Sequence, residues 1–288
     1  MTSSTTDNDN NTLYVLYGSQ MGNSEQAAKD FVQQFRGKQQ DNKFDAFQGL
    51  QPKAIQLDDY LEMYHSPVSA LPLIIFVSSY GVGQAPLGAN RFREVCDTLI
   101  ENDQNNKVGN STLLKGMSYA ICGLGDSSYP TYLKNPATID QGLTVAGATR
   151  IVGTKLGKAD ASQSGTNSQD KVIQEWIQNL WEPLSTCLQQ IRKQEQQQRE
   201  NDDENNDNKV DYKLMQQNII KMLIELDPDY TPPKGFHNKG SGGGTSSAGC
   251  GGGMLLFLAI AVGIVAIGIK MGIYNKLQED GDDVASLS

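Results

Sequence analysis

Short apolar runs alternate with amphipathic stretches over the first two-thirds of this 288-residue chain. Leu13–Tyr17 and Leu71–Ser79 are nearly uninterrupted apolar runs, which is typical of strands buried on both faces of a parallel sheet. After the first run, apolar residues recur at helical spacing in Glu25–Phe35, and Ser24 is expected to cap that helix. The pattern therefore predicts strands that alternate with helices.

The same reasoning extends along the chain. The other predicted strands are Ala54–Leu57, Ser118–Leu124 and Thr149–Lys155, and the other predicted helices are Ala89–Leu99, Pro136–Val145 and Asp170–Ile191. Pro136 suits the first turn of its helix, whereas Pro183 is expected to kink the last helix or end its first part. Repeated strand–helix units give an α/β fold, a parallel sheet with helices on both faces. Because ligands bind at the carboxyl ends of such strands, we expect the chemistry in the loops after strands one, three and four.

The composition changes after the last predicted helix. Gln, Asn, Asp and Glu dominate residues 191–209, which predicts a solvated helix extension or a disordered linker. Residues 210–227 have helical apolar spacing and predict an amphipathic helix that docks on the domain, on a membrane or on a partner. Residues 228–253 predict a flexible linker rich in Gly and Ser. Residues 1–11 predict a disordered lead-in, since they lack the apolar region of a signal peptide.

A late apolar segment, residues 254–274, predicts a transmembrane helix. Its first sixteen residues carry no charge, and the segment reaches across a bilayer if Lys270 extends to the headgroups. A buried core helix is the alternative, but a segment that is apolar all round and follows a Gly-rich linker favours the membrane. We expect the N-terminal domain to face the cytosol and the acidic tail 275–288 to lie on the far side. The short span favours the endoplasmic reticulum over the outer mitochondrial membrane.

Composition narrows the classes of function. The net charge of −9 argues against nucleic acid as a partner, because phosphate-backbone binding needs a basic face. The four cysteines have no metal-binding spacing, and Cys96 and Cys122 lie in apolar contexts that predict core positions. With only two histidines, both near Pro-containing loops, the sequence predicts neither a metal site nor a His-based catalytic triad.

Three loops at strand ends carry the candidate chemistry. The first, Gly18–Ser24, joins a strand to a helix, so its N–H groups and the helix dipole favour a phosphate held without Lys or Arg. A plain turn with a helix cap is the alternative. The second, Ser78–Gly88, and the third, Gly123–Pro130, each combine glycines with a tyrosine, and two such tyrosines would sandwich a planar ring. Ordinary surface packing is the alternative for each tyrosine alone.

These motifs resemble the FMN-binding, flavodoxin-like domains of diflavin reductases, the group of NADPH–cytochrome reductase and sulfite reductase. The resemblance covers residues 12–190: YGSQMGNSE is similar to the phosphate loop, SSYGVGQAP and GLGDSSYPTY to the two loops with a stacking tyrosine, and LGKAD to a segment beside the flavin. It implies a five-stranded flavodoxin-like sheet that binds flavin mononucleotide (FMN). The implied phosphate ligands are Ser19, Gln20, Gly22, Asn23 and Ser24, and the residues implied around the ring are Ser79, Tyr80, Gly81, Gly83, Gly123, Leu124, Gly125, Asp126, Tyr129 and Asp160.

Two departures from the family pattern bear on function. Met21 stands where the family usually has Thr, and the neutral Gln84–Leu87 replaces an acidic motif. No segment of the sequence resembles the FAD- and NADPH-binding modules of the group. We therefore expect a membrane-tethered electron carrier that accepts electrons from a separate NAD(P)H-dependent flavin reductase and passes them to a redox acceptor protein. The alternative is a scaffold or regulatory module that kept the fold and lost flavin redox function.

Overall fold

A computed structural model describes residues 11–62, 71–105 and 113–200. The strands are β1 (Thr12–Gly18), β2 (Gln51–Gln56), β3 (Leu73–Ser78), β4 (Ser118–Gly125), β5 (Thr149–Arg150) and β6 (Gly157–Asp160). The α-helices are α1 (Asn23–Lys38), α2 (Leu57–Glu62), α3 (Asn90–Gln104), α4 (Lys134–Val145) and α5 (Gln169–Glu200). Strands and helices therefore alternate as the hydrophobic pattern predicts, except that β6 follows β5 directly.

The sheet is parallel, with its strands in the order β2–β1–β3–β4–β5, and β6 also pairs with β4. The chain leaves β1 first toward β2 on one side and then crosses to β3 on the other side. The connections after β1 and β3 therefore diverge and open a crevice at the carboxyl ends of these neighbouring strands. This arrangement confirms the α/β prediction and locates the switch point beside the first two candidate loops.

Both faces of the sheet are buried, and the central strand shows it residue by residue. In β3, Leu73, Ile75 and Val77 pack with α2, α3 and α4 on one face. Ile74 and Phe76 pack with α1 and α5 on the other face. Successive strand residues point to opposite faces, so only a continuous apolar run fills both cores. Cys96 and Cys122 are buried in these cores as predicted, and burial raises the pKa of the Cys122 thiol to about 12.

The predicted fifth strand, Thr149–Lys155, is wrong in its extent. β5 ends at Arg150, and the chain resumes pairing with β4 only at Gly157. Between them, Gly153 has a positive φ of 86°, and the Thr154 N–H donates to the Ile151 carbonyl in a tight turn. A left-handed residue breaks the extended geometry of a strand, so the fifth position of the sheet holds two short strands.

Boundaries of several other elements also differ from the predictions. β2 begins at Gln51 and ends before Leu57, which instead starts α2. Gly22, in a left-handed conformation with φ of 90°, caps α1 in place of Ser24, which lies inside the first turn. The last helix continues across Pro183 to Glu200, since an apolar face that includes Leu180, Leu184 and Leu188 packs it on the sheet. Its end therefore extends into the segment predicted as a polar linker.

Several predicted segments lie outside the described residues: most of the lead-in 1–11, the remainder of the linker 191–209, and the whole of 210–227, 228–253, 254–274 and 275–288. In the parts of the chain that the structure describes, no helix combines the length and the apolar composition needed to cross a membrane.

Candidate functional site

The first loop connects β1 to α1 and is shaped by Gly22. Its φ of 90° turns the chain into α1, whose N-terminus has no side-chain cap. The Ser24 backbone N–H donates instead to the Ser19 hydroxyl, at 3.2 Å. The hydroxyl of Ser24 is fully buried and has no hydrogen-bond partner within the described residues. Since an unsatisfied buried hydroxyl costs about 1–3 kcal/mol, this loop suits a ligand with several acceptor oxygens, such as a phosphate.

The second loop is a tight antiparallel turn after β3. The Tyr80 N–H donates to the Gln84 carbonyl at 3.0 Å, and the Gln84 N–H donates back to the Tyr80 carbonyl at 2.8 Å. Gly81 and Gly83 both have positive φ, at 51° and 91°, which makes the turn possible. The turn leaves Tyr80 49% exposed, so its side chain is open to contact with a planar molecule.

The third loop follows β4 and is closed by hydrogen bonds around Asp126. Its carboxylate accepts from the Ser128 N–H at 2.8 Å, and its carbonyl accepts from the Tyr129 N–H at 3.1 Å. Tyr129 is thereby held at the edge of the loop with 60% of its surface exposed. A β-carbon at Gly125 would lie only 2.9 Å from the ring of Tyr132, so the strand can end this close to the loop only with glycine.

A network of hydrogen bonds around the buried Asn135 holds the second loop against the helices α3 and α4. Asn135 is fully buried, donates from its side chain to the Ser78 carbonyl at 2.8 Å, and donates from its backbone to the Ser79 hydroxyl at 3.1 Å. The Arg93 guanidinium donates to Asn135 Oδ1 at 3.0 Å and to the Gly83 carbonyl at 3.4 Å. This network joins α3 and α4 to the loop that carries Tyr80. Sequence reasoning missed it because Arg93 and Asn135 are far apart along the chain.

Asp160, at the end of β6, organises the neighbouring backbone. Its carboxylate accepts from the Ser127 N–H at 2.9 Å, and from the N–H and hydroxyl of Ser162 at 3.0 and 2.9 Å. Reduced hydration raises the pKa of Asp160, but the hydrogen bonds from Ser127 and Ser162 outweigh this effect and lower it well below the usual 3.8. The carboxylate therefore stays ionised and ties β6 to the third loop.

The three loops meet around one cleft of about 440 Å³ at the carboxyl ends of β1, β3 and β4. The predicted residues that line it are Ser19, Gln20, Asn23, Ser79, Tyr80, Gly81, Leu124, Gly125, Asp126 and Tyr129. The other predicted residues are not among those that line the cleft: Gly22, Ser24 and Gly83 lie in or beside the first two loops, Gly123 lies in β4, and Asp160 ends β6. The structure thus brings all three loops together at one cleft, as the order of the strands predicts.

Sequence reasoning also missed part of the lining. Ser78 begins the SSYGVGQAP motif, and Thr131 and Tyr132 end the GLGDSSYPTY motif. Both motifs were recognised, but these three residues were not named as site residues. Ala161 follows Asp160, and Gln169 is the first residue of α5. Neither had a signal in the sequence, because their positions follow from where β6 ends and how α5 packs.

The chemistry of the cleft suits binding and electron transfer more than acid–base catalysis. Asp126 is the one charged residue among those that line it, and the rest are hydroxyls, amides, glycines, tyrosines and small apolar groups. In the described residues, no group of three His, Cys, Asp or Glu side chains is arranged to hold a metal ion. Neutral donors at a helix N-terminus and two exposed tyrosines together fit an aromatic ring that carries a phosphate.

Comparisons with known proteins agree on one family. The family model described as "Flavodoxin" matches residues 15–176. The bifunctional cytochrome P450/NADPH–P450 reductase of Bacillus cereus is 30% identical over 178 residues, 60% of this chain and 14% of that protein. Methionine synthase reductase of Caenorhabditis elegans is 29% identical over 174 residues, 60% of this chain and 22% of that protein.

NADPH-dependent diflavin oxidoreductase 1 of Arabidopsis thaliana is 28% identical over 177 residues, 60% of this chain and 24% of that protein. The chain therefore matches less than a quarter of the length of each of these three relatives.

Proposed function

Because the chain belongs to the flavodoxin family, which implies FMN as the cofactor, we propose that residues 12–190 bind FMN in the cleft and that the protein works as a membrane-tethered electron carrier. One observation carries the proposal: a helix N-terminus rich in neutral donors and two exposed tyrosines line the same cleft. FMN, when bound, supplies the redox chemistry, since it takes up and releases electrons singly or in pairs. The protein supplies binding, orientation and the local charge.

The first loop would hold the phosphate. Ser19, Gln20 and Asn23 line the cleft and offer hydroxyl and amide donors, and Gly22 lets the backbone of α1 approach closely. The buried hydroxyl of Ser24 would gain an acceptor there. No cation is needed, because the N–H groups and dipole of α1 already favour an anion.

The second and third loops would hold the ring. Tyr80 and Tyr129 are 49% and 60% exposed and line the cleft from two different strand ends, which suits stacking on the two faces of a planar ring. Gly81, Leu124 and Gly125 also line the cleft, and their backbone groups would contact the flavin. Asp126 adds a negative charge to the cleft wall, and a negative charge opposes the uptake of electrons by a neighbouring group.

The partners belong to the same proposal. Electrons would come from a separate NAD(P)H-dependent flavin reductase; two of the relatives carry NADPH in their names, which supports this nucleotide as the source. The carrier would pass electrons to a redox acceptor protein. The apolar composition of residues 254–274 supports a membrane tether with the flavin domain in the cytosol, and its short span favours the endoplasmic reticulum.

The visible absorption spectrum of the purified full chain tests the cofactor. We expect bands near about 370 and 450 nm, and release of FMN rather than FAD on denaturation. Tyr80→Ala and Tyr129→Ala should each weaken FMN binding. A protein that stays colourless after FMN is added would overturn the proposal.

A second candidate is a flavodoxin-fold scaffold without flavin redox function. The observation that favours it is Met21, which replaces the usual hydroxyl residue of the phosphate loop, together with the neutral Gln84–Leu87. The two candidates differ in whether an NADPH-dependent flavin reductase reduces the FMN-loaded protein. Reduction that slows as salt is added supports the carrier, because docking by charge is screened. Complete absence of reduction at low salt supports the scaffold.

A further inference from the structure

Gln169, the first residue of α5, connects two cleft-lining residues and strand β6 through one amide group. Its Nε2 donates to the carbonyls of Gly125, at the end of β4, and Ala159, in β6, each at 3.2 Å. Its Oε1 accepts from Asn23 Nδ2, in the first loop, at 3.0 Å. The side chain also lines the cleft. Both of its N–H hydrogens and its oxygen are therefore engaged at once.

These contacts fix the direction in which the amide points. Two carbonyl groups can be satisfied only by the NH₂ end of the side chain, so its oxygen must face Asn23. The Asn23 amide is oriented in turn, because its own nitrogen must face that oxygen. Gln169 thus determines how a residue of the first loop presents its side chain.

The sheet itself provides no such connection. β3 lies between β1 and β4, so the ends of β1 and β4 are two strand spacings, about 10 Å, apart. No ladder of backbone hydrogen bonds can join them directly. The Asn23–Gln169 pair bridges this gap through side chains.

Other pairs of amide side chains connect α1 to α5, but they lie away from the cleft. Gln34 donates to Gln174 at 2.8 Å and accepts from Gln178 at 2.8 Å, and none of these three lines the cleft. They join the two helices further along their length. Gln178 therefore offers a control that resembles Gln169 in residue type, helix and kind of partner.

We propose that Gln169 is a positioning residue that holds the first loop at a fixed distance from the ends of β4 and β6. The proposal rests on the function proposed above, in which the first loop binds phosphate and the second and third bind the ring. A ligand that contacts both regions depends on their spacing. A ligand that contacts only the ring region does not. Gln169 therefore selects FMN, which carries the phosphate, over riboflavin, which lacks it.

Gln169→Met tests the proposal, because methionine keeps the length of the side chain and removes all three hydrogen bonds. With the full chain, we expect the dissociation constant for FMN to rise about tenfold and that for riboflavin to rise less than about threefold. Gln178→Met should change neither value by more than about twofold. Equal losses for both flavins, or no loss for FMN, would overturn the proposal.

A double-mutant cycle tests the route through Asn23. If Gln169 acts on the phosphate by orienting Asn23, Gln169→Met should cost less than about twofold in FMN affinity once Asn23→Ala is present. A full tenfold cost in that background would overturn this route.

Hydrogen exchange of the flavin-free full chain gives a readout that does not need FMN. Gln169→Met should speed amide exchange in residues 19–24 and 125–129 together, whereas Gln178→Met should leave both segments unchanged. If the wild-type chain binds no flavin, the proposed function fails, and exchange still decides whether Gln169 couples the loops. Unchanged exchange in Gln169→Met would overturn the coupling.

Discussion

Met21 lines the cleft, but its side chain has no hydrogen-bond donor for a phosphate. Its side chain is 86% exposed, so nothing in the core depends on it. Replacing it with threonine adds the hydroxyl that the resemblance leads one to expect. Because a hydrogen bond to a charged group is worth about 1.5 kcal/mol or more, Met21→Thr should tighten FMN binding about tenfold.

Met21→Val is the matched control, because valine has the shape of threonine without its hydroxyl. We expect it to bind FMN no better than the wild type, and equilibrium dialysis or fluorescence quenching of the flavin would measure all three proteins. An equal gain in the valine variant would show that side-chain size matters there and the hydroxyl does not.

Asp160 gives a pH dependence with a definite sign. Its pKa is lower in the folded protein than the ordinary 3.8, so the ionised carboxylate stabilises the fold. That contribution is complete above pH 3.8 and is lost as the pH falls from there through the folded-state pKa. Asp160→Asn cannot ionise, so wild type should be the more stable protein at neutral pH.

Thermal unfolding of both proteins across this range would measure the effect. The difference in melting temperature should be constant above about pH 5 and shrink steadily below about pH 4. A difference that does not change with pH would mean that the charge of Asp160 contributes nothing.

At the site, some residues could be predicted from the sequence and others could not. The loops with Tyr80 and Tyr129 were predictable, since glycines beside an aromatic residue at a strand end leave a local pattern. The cap of α1 was mispredicted: the Ser19 hydroxyl bonds the Ser24 N–H, and Gly22 takes the cap position. Gln169 was missed because its partners lie between 10 and 146 residues away in the chain. Such contacts exist only after the tertiary fold has formed.

At the scale of elements, the close packing of α3 on α4 depends on Gly142. A β-carbon there would lie 2.5 Å from Cβ and 2.8 Å from Cα of Cys96, so a backbone atom of α3 stands in its way. Gly142→Ala should therefore force the helices apart and cost about 1–3 kcal/mol in the free energy of unfolding.

Gly37 provides the matched control inside α1, because a β-carbon there would meet nothing within 4 Å. Gly37→Ala should stabilise the protein by up to about 1 kcal/mol, through helix propensity alone. Urea denaturation would give both free energies. If Gly142→Ala also stabilised the protein, α3 and α4 would pack less closely than the structure has them.

The elements themselves were largely predictable, because each strand buried on both faces leaves a continuous apolar run and each helix a periodic one. β3 and β4 were correct to within two residues at each end. The interruption between β5 and β6 was not predicted. It arises from a turn at Gly153, and the apolar and polar residues around this glycine do not form a pattern that marks the turn. The continuation of α5 across Pro183 reflects tertiary packing that outweighs the loss of one helical hydrogen bond.

At the scale of the whole molecule, the proposed role joins a flavin domain to a membrane by a long connection. Residues 228–253 are rich in glycine and serine, the composition from which a flexible linker is predicted. Such a connection would let one domain meet a donor and an acceptor in turn near the same membrane. The proposed tether would then raise the local concentration of the carrier at its partners without adding any contact.

The tether can be tested with a charge placed at the middle of residues 254–274. A lysine near the centre of a transmembrane helix costs about 2.5–3.5 kcal/mol, so the pair Ile260→Lys and Ile264→Lys should abolish insertion. Full-length wild type is expected to resist extraction from membranes by alkaline carbonate, and the double variant should be released. Gln278→Lys adds charge outside the span and should behave as wild type. If wild type itself is released, the carrier acts without a membrane anchor; if both proteins are retained, another part of the chain holds it there.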